Sequence, residues 1–222
     1  MYEAAVSYYP SNVEVEAIHK IDPEIPLKAI TAYVYEEFLE NIPEDFAKRE
    51  GLLFVGGFAH PPNADAVLWF AKEAFPYIRD RIPGIRFYVV GSKVTEEIQA
   101  LHSEENGIII KGFVTEEELA SLYASCRIVV APLRYGAGVK GKIVEAIYNG
   151  APIVTTSVGA EGIPGVETVL EVADDPDDFA VKTAELYADK DRLLAMCRRT
   201  QTYIREHFSV DAAWKVIEED FS

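Results

Sequence analysis

Five short apolar runs recur between residues 51 and 156: GLLFVGG (51–57), IRFYVVGS (85–92), GIIIKG (107–112), CRIVVAPL (126–133) and APIVTT (151–156). Their apolar residues are consecutive rather than alternating, so each run reads as a strand buried on both faces. Helix-like stretches separate them. Strands alternating with helices, and strands covered on both sides, imply an α/β unit with a Rossmann-like parallel sheet and helices on both faces. In such a sheet every strand ends at the same edge, and ligands collect there. The glycine turns Gly56-Gly57, Gly91, Gly112 and Gly136–Gly141 all follow strands. All of them are therefore expected at that edge.

The intervening segments carry helix signals. Asn63 follows Pro61-Pro62 and is expected to cap a helix whose apolar face is Val67, Leu68, Phe70, Ala71 and Phe75. Glu96 to His102 reads as a helix. Thr115 and Glu118 have capping-box spacing before EEELASLYAS. Lys142 to Asn149 is a short helix, ETVLEVA (167–173) a further strand, and Asp175-Pro176 opens another helix. The remainder to Ser222 reads as helices broken near Phe208-Ser209. Residues 1–50 follow the rhythm less closely. AAVSYY (4–9) suggests a strand, Ser11–His19 a helix, KAITAYVY (28–35) a strand and YEEFLENIPEDFAKRE an acidic connector. The expected layout is an appendage over 1–50, the tail of a preceding domain, and an α/β domain with C-terminal helices over 51–222.

Composition narrows the function classes. The 222 residues carry a formal net charge of −16, which argues against nucleic acid and against an anionic membrane surface as partners. No apolar run approaches the length of a membrane span, and the N-terminal stretch lacks the basic start and apolar core of a signal peptide. Cys126 and Cys197 sit in apolar or helical contexts and read as free thiols. A cytoplasmic location is expected.

One loop departs from the acidic background. From Pro132 to Val144 there are three cations, Arg134, Lys140 and Lys142, three glycines and no acid. A glycine-rich turn leading into a helix N-terminus presents backbone N–H groups to anions, phosphates above all. Glu145, expected in the first turn of the helix, has the right chemistry to accept two ribose hydroxyls. Plain turn chemistry, solvated lysines and a carboxylate offsetting the helix dipole account for the same residues one at a time. Neither P-loop nor dinucleotide glycine spacing is present, no His/Cys/Asp cluster has metal-ligand spacing, and no nucleophile-elbow motif appears. The residues alone thus indicate an anion or nucleotide site.

APLRYGAGVKGKIVEAIYNGAPIVTTSVGAEGI resembles the signature of the group 1 (family 4) glycosyltransferases. LLFVGGFAHPPNADAVLWF, RFYVVGS and IIIKGFVTEEELASLYASCRIVVAPL resemble its upstream parts, in order. The resemblance runs from about Leu52 to the C-terminus. It implies the C-terminal, nucleotide-sugar-binding half of a retaining GT-B enzyme, which needs no metal or other cofactor. Such an enzyme moves a sugar from a UDP-, GDP- or similar donor to an acceptor held by an N-terminal domain. AAVSYYPSNVEVEAI and PLKAITAYVY are similar to the end of that N-terminal domain and to its crossover. Polysaccharide or glycan assembly is the expected setting, and little transfer is expected of this chain alone.

The resemblance also assigns roles. Glu145 takes the ribose position, and Gly136, Ala137, Gly138 and Val139 offer backbone N–H groups to the diphosphate. Phe113 and Val114, with Gly91 nearby, face the base, and Gly56-Gly57 approach the phosphates or the sugar. Two departures stand out. The family's second glutamate, eight residues before the ribose one, is Ala137 here. The basic pair after the first glycine turn is replaced by FAHPPN, in which His60 is the one candidate donor. Arg134, Lys140 and Lys142 are accordingly expected to supply the missing charge, with Arg134 and Lys142 stabilising the leaving group. Glu161 reads as a solvent-facing loop acid, His19, His102 and His207 as surface residues, and Trp69 and Trp214 as packing residues. A nucleotide-sugar epimerase and a non-catalytic nucleotide-sugar-binding module are the alternatives of similar architecture.

Overall fold

A computed structural model describes residues 6–40 and 48–221. The chain runs β1 (Ser7–Tyr9), α1 (Asn12–His19), β2 (Leu27–Ala29), β3 (Leu52–Val55) and α2 (Pro61–Trp69). It continues through α3 (Phe75–Arg81), β4 (Phe87–Val90), α4 (Glu96–Gln99), β5 (Ile108–Gly112), α5 (Glu116–Ser125) and β6 (Ile128–Ala131). Last come α6 (Gly141–Tyr148), β7 (Ile153–Thr155), α7 (Ser157–Ala160), β8 (Glu171–Val172), α8 (Pro176–Ala188), α9 (Lys190–Phe208) and α10 (Val210–Ile217). β3 to β8 form one six-stranded sheet in the order β5-β4-β3-β6-β7-β8, and every pairing is parallel. The expected α/β architecture is what the chain adopts.

Both sheet faces are covered, as the consecutive apolar runs require. On one face Phe70 and Phe75 from the α2–α3 region and Phe179 from α8 pack on Phe54 and Phe87. Phe70 meets Phe87 and Phe179 edge-on at centroid distances of 4.7 and 5.6 Å. On the other face Tyr123 of α5 and Ile143, Val144 and Ile147 of α6 pack on Leu53, Val129 and Ile153. Helix α9 serves both layers, with Met196 and Cys197 in the first core and Tyr203, Ile204 and Phe208 in the second. Cys126 and Cys197 are free and buried, and burial pushes both thiols up to about 12.

Several boundaries differ from expectation for local reasons. Helix α2 begins at Pro61, with extended His60 as its N-cap, because two prolines suit the first helical positions, where no N–H is needed. Asn63 therefore lies inside the helix instead of capping it. Between α2 and α3, Phe70–Ala74 widens into a π-turn in which Phe75 N–H reaches Phe70 O. Pro76, which has no N–H and crowds the preceding turn, explains that widening. The strand expected over 28–35 stops at Ala29. Thr31 Oγ1 accepts the Tyr33 N–H at 3.1 Å and turns the chain, and Tyr35 pairs instead with Ser209. The strand expected over 167–173 is only β8, since Val166–Thr168 forms a 3₁₀ turn behind Gly165. The helix expected to His102 ends at Gln99, and α7 carried no strong sequence signal. The proposed strand residues before Val6 and the middle of the acidic connector lie outside the described residues. The Thr115–Glu118 capping box forms in full, and α8 opens on Asp175. Trp69 packs edge-on against Phe179, whereas Trp214, expected to pack, is exposed on α10.

Replacing Phe70 by alanine would remove the ring that joins β4, α8 and the π-turn. We expect a loss of about 3–5 kcal/mol, read as a lower urea midpoint with little change in the slope of the transition.

Candidate functional site

The strand order reverses between β3 and β6. Successive strands spread from β3 towards β4 and β5, and β6 then returns to β3's other side. Loops leaving two such neighbours diverge to opposite faces and leave a crevice above their carboxyl ends. A cleft of about 550 Å³ lies there, lined by Gly56, Gly57, Gly91, Ser92, Phe113, Val114, Gly141, Lys142 and Glu145 among others. The glycine at 91 is required by close approach: a Cβ would stand 2.0 Å from Gly56 O. The two turns are thereby held against each other.

Helix α6 supplies the charged groups. Its buried face is Ile143, Val144, Ala146 and Ile147, which leaves Lys142 and Glu145, three residues apart, side by side towards the cleft. Glu145 lies in the second turn, not the first. Lys142 Nζ donates to Asn63 Oδ1 at 2.8 Å and sits 5.9 Å from the centre of the Phe54 ring. Burial, reinforced by the nearby Lys140 charge and opposed by Glu145, lowers the Lys142 ammonium from the ordinary 10.5 to about 8. Burial likewise raises the Glu145 carboxyl, against the pull of Lys142. Two groups of opposite sign are thus held in a partly dehydrated cleft at a helix N-terminus, an arrangement suited to a ligand with both anionic and hydroxyl groups.

The sequence model for the family described as "Glycosyl transferases group 1" matches residues 49–189. The chain belongs to the group 1 glycosyltransferases. An uncharacterized 44.6 kDa protein in the cps region of Klebsiella pneumoniae is 31% identical over 116 residues, covering 50% of this chain and 30% of that relative. Among solved structures, S. aureus TarM superposes with a TM-score of 0.75 at 14% identity, over 97% of this chain and 43% of TarM. Anabaena HepE gives 0.73 at 16% identity, over 98% and 63%. WaaG, a glycosyltransferase involved in lipopolysaccharide biosynthesis, gives 0.66 at 14% identity, over 96% and 60%. These likenesses concern the fold, which is that of GT-B glycosyltransferases. The chain spans under a third of the Klebsiella relative and about half of the solved structures.

Within this cleft the structure gathers Gly56, Gly57, Gly91, Phe113, Val114, Lys142 and Glu145 from the expected site. The other expected residues lie elsewhere. Arg134 makes a two-point ion pair with Asp65 of α2. Lys140 is largely buried, donating to Gly138 O and reaching Glu161 Oε2 at 3.3 Å. Glu161, expected to face solvent alone, is thus an ion-pair partner. Of the loop's three cations only Lys142 lines the cleft among the described residues. His60 stays exposed at the start of α2. Gly136, Ala137 and Gly138 lie outside the lining; Gly136 approaches Pro62 and Gly138 the Glu14 side chain. Val139 lines a separate cavity with α1 and α9. The three remaining histidines have local roles: His19 meets Ile25 O, His102 accepts the Ile110 N–H, and His207 stacks on Tyr203.

Sequence reasoning missed part of the wall. Tyr33 and Tyr35, from the segment after β2, and Asn63, Ser92 and Leu119 also line the cleft. A Cβ on Gly141 would meet Tyr33 Oη at 2.5 Å, so the phenol sits in the space that a glycine at the first residue of α6 leaves open. Tyr35 stacks on Tyr148 at 4.0 Å, and burial together with the Glu145 charge raises its hydroxyl to about 12. Among the described residues no group of three or more His, Cys, Asp or Glu is arranged to hold a metal. No helix among them is long and apolar enough to cross a membrane.

The lowered Lys142 has a stability consequence. Between about 8 and 10.5 the unfolded chain holds a proton that the folded one lacks, so stability contributed by this group rises with pH across that window. At neutral pH the buried ammonium is a net cost. Because Lys142→Met also leaves the buried Asn63 Oδ1 without its donor, its stability relative to wild type should be about 1–3 kcal/mol more favourable at pH 7 than above pH 10.5. Urea unfolding of both proteins across that range checks the sign.

Proposed function

We propose that this chain is the donor-binding unit of a retaining glycosyltransferase that transfers a sugar, a hexose or its derivative, from a nucleoside diphosphate to an acceptor hydroxyl. The observation that carries the reading is the pairing of Lys142 with Glu145 at the N-terminus of α6, inside the crevice at the β3/β6 reversal. A diphosphate fits between the Gly141 end of α6, the Lys142 ammonium and the Gly56-Gly57 turn. Glu145 accepts the ribose hydroxyls and Phe113 with Val114 flanks the base. Negative charge grows on the leaving diphosphate as the glycosidic bond breaks, and a preorganised cation beside it lowers that barrier. Gly136–Val139, outside the cleft lining, would have to move to offer backbone N–H groups to the diphosphate, and Arg134 acts through its hold on α2.

Three structural relatives support the donor class. TarM was solved with UDP and α-GlcNAc-glycerol, the pneumococcal O-GlcNAc transferase GtfA with UDP and GlcNAc, and HepE with UDP and glucose. The cps-region relative and WaaG support a role in surface polysaccharide assembly. An acceptor-binding domain across the cleft excludes water and orients the acceptor, so this chain by itself binds donor and transfers little. Action in the cytoplasm suits a supply of nucleotide sugars.

Titration calorimetry with UDP, GDP, ADP and dTDP tests the reading. One nucleotide should bind with a Kd of about 10⁻⁵ to 10⁻³ M, and Glu145→Ala and Lys142→Ala should each weaken it about tenfold or more. Equal, unaltered binding in both variants would refute the site. Ala137, where the family carries an acid, favours a second reading as a sugar-nucleotide-binding module. Donor hydrolysis or transfer in the presence of a complete acceptor-binding domain decides between enzyme and module.

A further inference from the structure

We propose that Asn63 is a positioning residue that fixes the Lys142 ammonium in the cleft and ties it to the first glycine turn. The inference rests on the donor-site reading for its functional meaning and on geometry for its content. Asn63 is 4% exposed. Its Nδ2 donates to Gly57 O at 2.7 Å, and its Oδ1 accepts from Lys142 Nζ at 2.8 Å. The first bond settles the second: a carbonyl oxygen only accepts, so the amide nitrogen must face Gly57 and the amide oxygen must face the ammonium. The contacts are tight. A Cβ on Gly56 would meet Asn63 Nδ2 at 2.9 Å and Lys142 Cε at 3.1 Å.

The amide's placement is built into α2. Extended His60 and the pair Pro61-Pro62 start the helix earlier than a cap at residue 63 would, which turns Asn63 back over the end of β3. A neutral acceptor is the suitable partner here. It orients the ammonium and favours its charged state without adding a second negative charge to that of Glu145, which keeps the cation available to an incoming diphosphate. Aspartate would neutralise the lysine and compete with the ligand, and glutamine is one methylene too long for both contacts. Other charges facing Lys142 are Lys140 and Glu145. Phe54 lies beneath it and Tyr33 and Tyr35 line the same cleft. None of these is hydrogen-bonded to its Nζ among the described residues.

The test follows the Lys142 Nζ resonance by NMR in protein carrying ¹⁵N-labelled lysine, assigned by its loss in Lys142→Arg. Wild type, Asn63→Asp and Asn63→Leu are titrated without ligand. The expected midpoints are about 8 in wild type, at least about one pH unit higher in Asn63→Asp and lower in Asn63→Leu. Coincident midpoints would overturn the proposal. Asn63→Asp preserves shape and keeps the test valid if the leucine variant does not fold. In parallel, nucleotide affinity is measured against pH. Asn63→Leu should lose about tenfold or more at about pH 8 and recover most of it at about pH 6.5, whereas a pH-independent loss would overturn the positioning role. Absence of nucleotide binding in every protein at every pH would sink the donor-site reading alone, because the ligand-free titration still decides Asn63.

Discussion

The site depends on β3 pairing in parallel with two strands at once. Leu52 stands in register with Phe87 of β4 on one side and Ile128 of β6 on the other. Because the chain crosses to β4 over one face and reaches β6 by way of the other, the helices that follow β3 and β6 lie in different layers. Ala66, Val67 and Phe70 belong to the first core, and Ile143, Val144 and Ile147 to the second. Asn63 and Lys142 thus come from opposite sides of the sheet and meet only above its edge, over Phe54. That meeting point is the floor of the cleft. Anything that separated β3 from β6 would part them, since no shared element holds both.

Charge in the loop after β6 is divided between architecture and ligand. Arg134 fastens the loop to α2 through Asp65, and Lys140 fastens it to the segment after α7 through Glu161. Lys140 is also one of the causes that depress Lys142. A lysine that is buried beside another cation and bonded to a neutral amide has lost hydration for only the partial compensation that Glu145 gives. A bound diphosphate, as proposed, would supply a further anion. Arg134 and Lys140 are accounted for by their ion pairs, and the unfavourable burial of Lys142 is what that proposal requires of a group kept for binding.

Much of this was legible in the sequence because the relevant signals are short-range. Consecutive apolar residues marked β3 to β7, with glycine closing the runs of β3, β4 and β5, and the glycine turns located the edge where the cleft opens. Capping chemistry located α5 and α8. Helical spacing put Lys142 beside Glu145. What the sequence did not disclose was long-range pairing. Nothing in RYGAGVKGK says that Arg134 meets Asp65 across 69 residues, or that Lys140 meets Glu161 across 21. Three cations in one loop looked alike until their partners were placed. Asn63 was noticed for the wrong reason, as a helix cap, since a proline pair shifts the helix start and the residue's true partners lie at Gly57 and 79 residues away at Lys142.

The connector shows the same limitation most clearly. Tyr33 and Tyr35 read as the end of a strand over 28–35 and Phe38 as part of the acidic connector, yet all three pack against the second core. Tyr35 N–H donates to Phe208 O at 2.8 Å, while its ring stacks on Tyr148 at the end of α6. One residue therefore touches both the helix that carries Lys142 and Glu145 and the junction between α9 and α10. Beyond that junction, Asp220 accepts from Tyr8 Oη and Lys28 Nζ at 2.6 and 2.7 Å, which clips the C-terminal end to the β1–β2 pair. The β1–β2 pair is thus joined to the surroundings of the cleft twice, by the backbone that continues to Tyr33 and Tyr35 and by Asp220. The wall of the cleft is in this sense continuous with the segment that precedes it, which brings the Tyr33 phenol against Gly141.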